Sequence, residues 1–328
     1  VRVVLDTDPG VDDALALLLA LRSPEVDLIG VTTVAGNVLV DRGTRNARAI
    51  LAVAGRSDVR VYQGADRPLV GRLTTATYFH GATGLGDLDL PDDPSLAGDC
   101  SGPEFLARAA QESETPLTVV AVGPLTNLAL ACRLDPGWPS RVERIVIMGG
   151  AVSVPGNVTP VAEANFYSDP EAAAVVLTSG AAITLVGLDV TMQTRLSIER
   201  WHASRAQTQR ASDPAATAAA GLLDFYTARA AALGVIGPAL HDPLAIAVVF
   251  QPDLVAVRRL PVQVECVGVH TRGQTVAWMG GMRERLVDCG DHDDVVGVEP
   301  IQGNVDVCLE VDGERFLELF LGRLFGVG

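Results

Sequence analysis

The chain has no lysine; all 25 of its basic side chains are arginine. That absence excludes Schiff-base and pyridoxal chemistry and the phosphate-binding lysine of a P-loop, each of which needs a primary amine. Cysteine is scarce. Cys100, Cys132, Cys266, Cys289 and Cys308 are scattered, odd in number and without C-x-x-C spacing, which reads as reduced intracellular thiols. Basic charge is the minority sign, 25 residues against 40 acidic ones, for a net charge of −15. A nucleic-acid partner, which requires basic patches, is therefore not expected. No apolar run approaches the roughly 20 residues that cross a bilayer, and with a strand-like run starting at Val1 a signal peptide is not expected. The expectation is a cytoplasmic protein with no membrane partner. Proline- or serine-rich linkers, internal repeats and low-complexity tracts are also missing.

What is present is ample apolar material, 48% of 328 residues, enough for a sizeable core. Length alone suggests two domains. Strand and helix patterns nevertheless alternate without a break, which predicts a single α/β domain over 1–328 with an open, mostly parallel sheet flanked by helices. Val1 to Leu5 reads as a buried strand, and Val11 opens an apolar helix. Between them lies Asp6-Thr7-Asp8-Pro9-Gly10-Val11-Asp12-Asp13, four carboxylates within eight residues at the carboxyl end of a strand. Ligands of open α/β sheets bind outside such ends. A helix start favours one or two acids, by about 0.3–1 kcal/mol each, and does not account for four. Crowded carboxylates repel unless a proton or cation intervenes, and an all-oxygen donor set suits a hard divalent ion.

Further strands are expected at Val26 to Val34, Val59 to Tyr62, Leu117 to Val122, Val142 to Met148, Ile183 to Val186 and Val305 to Leu309, with a hairpin from Val262–Cys266 to Gln274–Trp278. Helices are expected at Asp41 to Ala54, Gly102 to Gln111, Pro214 to Ala232 and Gly313 to Leu324, and others start near Leu125 and His241. Asn37 falls at the same sheet edge as Asp8, although Asn after Gly is ordinarily a turn residue. Pro68 to Asp99 has no clear period, and its Gly-rich His80 to Asp87 portion reads as a lid. Taken alone, His80 reads as a solvent histidine. Asp169 reads as a helix cap with Pro170 at the first helical position, and Asp242 reads the same way. Asn157, Glu163 and Asn165 are not explained by capping, and their hydrogen-bonding groups suit a polyhydroxylated ligand.

Together these stretches resemble the inosine-uridine preferring nucleoside hydrolase family. The resemblance is carried by Asp6-Thr7-Asp8-Pro9-Gly10-Val11-Asp12-Asp13-Ala14, Thr33-Val34-Ala35-Gly36-Asn37, His80-Gly81, Gly123-Pro124-Leu125-Thr126-Asn127, Met148-Gly149-Gly150, the Glu163/Asn165 segment with Asp169-Pro170-Glu171-Ala172-Ala173, and His241-Asp242-Pro243. They occur in the family's order over nearly the whole chain.

The resemblance implies a Ca²⁺-dependent ribonucleoside hydrolase of nucleoside catabolism, a homodimer or homotetramer, that cleaves the N-glycosidic bond to ribose and free base. By position, Asp8, Asp13, Asp242 and the backbone carbonyl of Val122 match the family's calcium ligands. Asp8 also matches the general base that activates water. Asp12, Asn37, Asn157, Glu163 and Asn165 match groups that hold ribose. His241 matches a candidate proton donor to the leaving base, and His80 a histidine near the base. Asp6 matches a residue supporting the loop. Ala164 departs from the family, some of whose members carry an aromatic residue there. Phe225, Tyr226 and Arg229 are expected near the base, in a register the sequence leaves open. Two other readings remain. One is a nucleoside- or ribose-binding protein without turnover; the other is a phosphatase with an aspartyl nucleophile, which the missing lysine and the Asp12-Asp13 pair count against.

Overall fold

The computed structural model describes residues 1–86, 88–210, 212–279 and 304–327, so Asp87 and Cys289 lie outside the described residues. Eight strands form one sheet in the order β3-β2-β1-β4-β5-β6-β10-β7. They are β1 (Arg2–Thr7), β2 (Asp27–Thr33), β3 (Val61–Gln63), β4 (Leu117–Ala121), β5 (Arg144–Met148), β6 (Ile183–Val186), β7 (Val255–Leu260) and β10 (Val305–Val311). All pair in parallel except β7, which runs antiparallel to β10 at one edge. The expectation of an open, mostly parallel sheet holds.

Strand residues alternate between two cores, as the period of two demands. Val3, Leu5, Val120, Val122, Val146 and Met148 enter the core on one face, whereas Val4, Val119, Ala121, Ile145 and Ile147 enter the other. On the first face lies α1 (Val11–Arg22), buried from Val11 to Ala20. It packs against α11 (Pro214–Ala232), α12 (His241–Phe250) and α13 (Gly313–Phe325). A helix that is apolar all round must be enclosed by protein, and this one is. The opposite face is covered by α4 (Gly102–Glu112), α5 (Thr126–Leu134) and α8 (Pro170–Leu177).

Two departures from the sequence reading have physical causes. Strand β7 was not foreseen, because Ala256 to Arg259 are exposed and its Val-Arg-Arg run carries no apolar alternation. Charged residues on an edge strand also discourage further pairing. The segment expected to be irregular from Pro68 to Asp99 contains a helical turn, α3 (Thr77–His80), and a 3₁₀ turn at Pro94–Leu96. The C-terminal hairpin is present as β8 (Val262–Val264) and β9 (Thr275–Ala277). Among the described residues no helix is long and apolar enough to cross a membrane.

The chain reverses direction across the sheet between β1 and β4: β2 and β3 continue to one side, β4 to β6 to the other. The connections that leave the carboxyl ends of β1 and β4 therefore run to opposite sides and open a crevice, where open α/β sheets bind ligands.

Candidate active site

A cavity of about 290 Å³ opens at that switch point. Nine of the eleven candidate residues line it: Asp12, Asn37, His80, Val122, Asn157, Glu163, Asn165, His241 and Asp242. Asp8 and Asp13 lie beneath its floor, both almost fully buried.

The floor is built by α1 and the turn that leads into it. Asp13 reaches back to the helix start: its Oδ2 accepts from Gly10 N at 3.0 Å and its Oδ1 from Thr7 Oγ1 at 2.6 Å. This satisfies a donor that would otherwise be orphaned at the N-terminus. Asn37, at the end of β2, joins both acids, donating its backbone N–H to Asp8 Oδ2 at 2.6 Å and its Nδ2 to Asp13 Oδ2 at 2.9 Å. Gly36 and Gly123 leave room for the Asp8 carboxylate; a Cβ on Gly36 would lie 2.0 Å from Asp8 Oδ2.

Carboxylate oxygens of Asp12, Asp13 and Asp242 all lie within 4.8 Å of one another, a spacing one cation can bridge. The sequence comparison placed Asp8 in the metal set and Asp12 with ribose. The structure puts Asp12 in the tightest cluster and Asp8 just below it. Burial, then repulsion from Asp13, pushes the Asp12 carboxyl up to about 8, and the same two causes hold Asp8 well above the ordinary range. Asp242 is raised likewise by burial and by Asp12. Asp8 Oδ1 and Asp12 Oδ1 are buried without a hydrogen-bond donor. Acceptors left bare in a site of like charge are what a divalent cation would satisfy, and the all-oxygen donor set fits a hard ion.

The adjoining wall comes from the strand ends and α7 (Ala164–Ser168). Asn165 Nδ2 donates to the carbonyls of Val122, at 2.8 Å, and Met148, at 3.1 Å. Val122 lines the cavity, and its carbonyl already accepts one hydrogen bond. Glu163 was not expected to cap a helix, but it does: its carboxylate accepts from the amides of Asn165, Phe166 and Gly150. Burial raises its carboxyl against those bonds. Asn157 is exposed at the rim, and its Oδ1 accepts from Ala164 N at 3.0 Å. Asp169 caps α8 as expected and also accepts from Thr126 and Leu69.

The rest of the lining is largely apolar and includes Phe79, Val158, Met192, Ala230, Leu233 and Val235, together with Arg195. His80 is not the solvent histidine of the isolated reading. It is buried, its Nδ1 accepts the Val11 amide at 3.1 Å, and burial pulls its pKa down to about 4. His241 opens α12 with its Nδ1 2.7 Å from Thr191 Oγ1. Burial, then Arg195 and His80, lower it to about 4. Both rings are thus neutral near pH 7. Sequence reasoning left the register of α11 open. The structure turns Tyr226 into the cavity beside Asp12, and places Phe225 against Gly86 and Arg229 on the Tyr78 carbonyl.

Asn127 was quoted only as part of a motif, yet it ties the strand ends together. Its Nδ2 donates to Asp6 Oδ1 and the Thr33 carbonyl, and its Oδ1 accepts from Ala65 N. Thr191 carried no sequence signal at all, because a buried hydroxyl in a short helical turn has no motif.

Known proteins share both the sequence and this architecture. Uridine nucleosidase 1 of Arabidopsis thaliana is 39% identical over 98% of this chain and 93% of its own. Pyrimidine-specific ribonucleoside hydrolase RihA of Escherichia coli is 38% identical over 98% of this chain and 97% of its own. The solved structure of a purine-preferring ribonucleoside hydrolase from Gardnerella vaginalis superposes with a TM-score of 0.86 at 36% identity, covering 99% of this chain and 98% of the other. The family model described as inosine-uridine preferring nucleoside hydrolase matches residues 3–318, and the chain belongs to that family of enzymes.

Proposed function

We propose that the cavity binds a ribonucleoside with its ribose over the acidic floor and its base against the apolar end, and hydrolyses the N-glycosidic bond. The observation that carries this reading is the mixed lining of one cavity, in which the buried carboxylates of Asp12, Glu163 and Asp242, with His80 and His241 beside them, share the space with an apolar wall. In the proposed arrangement Asp12, Asn37, Asn157, Glu163 and Asn165 hold the ribose hydroxyls. Asp8, Asp13, Asp242 and the Val122 carbonyl hold Ca²⁺, with Asp12 near enough to share it. When bound, such an ion orients water and hydroxyls and lowers the pKa of the water.

Asp8 accepts the proton that the attacking water loses. The C1′–N bond breaks with its electron pair staying on the base, the water oxygen joins C1′, and the released proton ends on the base nitrogen. The sugar passes through an oxocarbenium-like state, and carboxylates fixed beneath it stabilise the positive charge without rearranging. Hydrogen bonds from His241 and His80 stabilise the departing base.

The names of the relatives span uridine, pyrimidine and purine nucleosides, so base preference is a question for assay. Release of reducing sugar from inosine, uridine, cytidine, adenosine and guanosine, with and without chelator, tests the reading. We expect turnover that chelation abolishes and Ca²⁺ restores. Binding of nucleosides by folded, calcium-loaded protein with no ribose released from any of them would overturn hydrolysis in favour of a binding protein.

A further inference from the structure

Two imidazoles line the cavity, and in both the Nδ1 atom is already engaged. At His80 the partner is the Val11 amide. An amide nitrogen only donates, so Nδ1 is the bare atom and the neutral ring carries its proton on Nε2. At His241 the partner is a hydroxyl, which can donate or accept, and its surroundings decide which. Thr191 is fully buried, so its proton has no water to meet. Other helical threonines here send that proton to a carbonyl of the preceding turn: Thr44 to Val40, Thr178 to Ala174, Thr227 to Leu223. Among the described residues Thr191 Oγ1 has one partner, His241 Nδ1. A buried donor without an acceptor is disfavoured, so the hydroxyl donates and Nδ1 accepts.

We infer that Thr191 is a positioning residue that fixes His241 as the neutral Nε2–H tautomer, so that His241 and His80 together present two N–H donors, and no bare imidazole nitrogen, to the leaving base. This deepens the hydrolase reading and rests on it. Nε2 of each ring has no protein partner among the described residues, and both rings line the cavity. A base is then held through its acceptor atoms. As the C1′–N bond breaks and its electron pair moves onto the base, the Nε2–H groups disperse that charge by hydrogen bonding, and the proton lost by water completes the base. With the other tautomer, His241 would turn a lone pair toward a base gaining electrons, and the interaction would become repulsive. Neutral imidazoles acting as hydrogen-bond donors are known in other enzymes.

The test compares Thr191→Val, which keeps shape and removes the hydroxyl, with Thr191→Ser, which keeps the hydroxyl. Each is assayed on the nucleoside that the wild type cleaves fastest and on 4-nitrophenyl β-D-ribofuranoside, whose leaving group departs unaided. Thr191→Val should lose about 10–100-fold in kcat on the nucleoside, at the low end of acid–base effects, and less than about 3-fold on the nitrophenyl riboside. Thr191→Ser should recover most of the loss. Nitrogen-15 NMR of the wild-type histidines should show His241 protonated on Nε2 and bare on Nδ1. Equal losses on both substrates, a serine variant no better than valine, or a wild-type spectrum with the proton on Nδ1 would each overturn the inference. The spectrum requires no variant to fold. Wild-type protein that cleaves neither riboside would sink the hydrolase reading, and the spectrum would still judge the tautomer.

Discussion

Replacing Asn127 with alanine should loosen the whole carboxyl edge of the sheet. This one side chain, with no exposed surface, bonds to β1 through Asp6, to β2 through the Thr33 carbonyl and to the loop after β3 through the Ala65 amide, at 2.7, 2.9 and 2.8 Å. Truncation removes all three bonds. Thr33 O keeps a second donor in Gly64 N, and Asp6 keeps Thr32, but Ala65 N–H loses its acceptor. A net hydrogen bond contributes about 0.5–1.5 kcal/mol and a buried orphan costs about 1–3 kcal/mol, so three lost bonds and one orphan sum to about 2.5–7.5 kcal/mol. With about 2.1 cal/mol/K of unfolding entropy per residue, a chain of this size loses about 0.7 kcal/mol per degree, and Tm should fall by about 4–11 °C. Thermal unfolding followed by circular dichroism, in chelator so that no metal contributes, reads this directly. Asn127→Asp makes a sharper variant. It keeps an acceptor for Ala65 but sets a second carboxyl against Asp6, whose own pKa burial pushes up to about 7. It should be the less stable of the two at pH 8. A Tm change below about 1 °C for alanine would refute the idea that this side chain holds the strand ends in place.

Two further outcomes follow from the geometry. Gly36→Ala should displace the Asp8 carboxylate, since the new Cβ would sit 2.0 Å from Oδ2 while Gly36 itself has no positive φ to strain. Misplacing a reacting group by about 1 Å costs on the order of 100-fold, so kcat/KM should fall at least that far while circular dichroism stays native. The Arg48–Asp92 pair, a two-pronged contact at 2.8 Å on each prong, holds the Asp92 carboxyl below its ordinary 3.8. Below that value the unfolded chain binds the proton more readily than the folded one. The pair's contribution is therefore complete above about pH 4 and fades as pH falls through the folded pKa. Partial exposure limits it to about 1 kcal/mol or less. Urea midpoints of wild type and Arg48→Ala should differ slightly at pH 6 and converge toward pH 3, and a gap that widens in acid would contradict the assignment.

The acidic turn was legible because four like charges in eight residues have few physical excuses, and most strands were legible because parallel strands buried on both faces are rich in valine, isoleucine and leucine. The carbonyl of Val122 has no side-chain mark; only its place at the end of a buried strand pointed to it, and the resemblance then assigned it to the metal. The grouping of Asp12 with Asp13 and Asp242 depends on where α12 lands against α1, a long-range contact that local spacing does not encode. Glu163 as a cap escaped notice because α7 is a single turn without apolar periodicity. Tyr226 sits on α11, whose alanine-rich sequence leaves its facing undefined until it packs.

The two ends of the cavity hang on different parts of the molecule. Its acidic floor grows from α1 and α12, where a change of one side chain disturbs a helix with no free face. Its far rim is made of Tyr78, Val158, Met192 and Leu233, exposed by 69%, 42%, 40% and 56%. Substitutions at such surface positions usually shift stability by no more than about 0.5 kcal/mol. On the proposed placement of the base against this rim, natural selection can therefore rewrite which base is accepted at little cost to folding, whereas the proposed bond-breaking groups are frozen into the core. Substrate range is the evolvable trait of this architecture, and its hydrolytic chemistry is the inherited one.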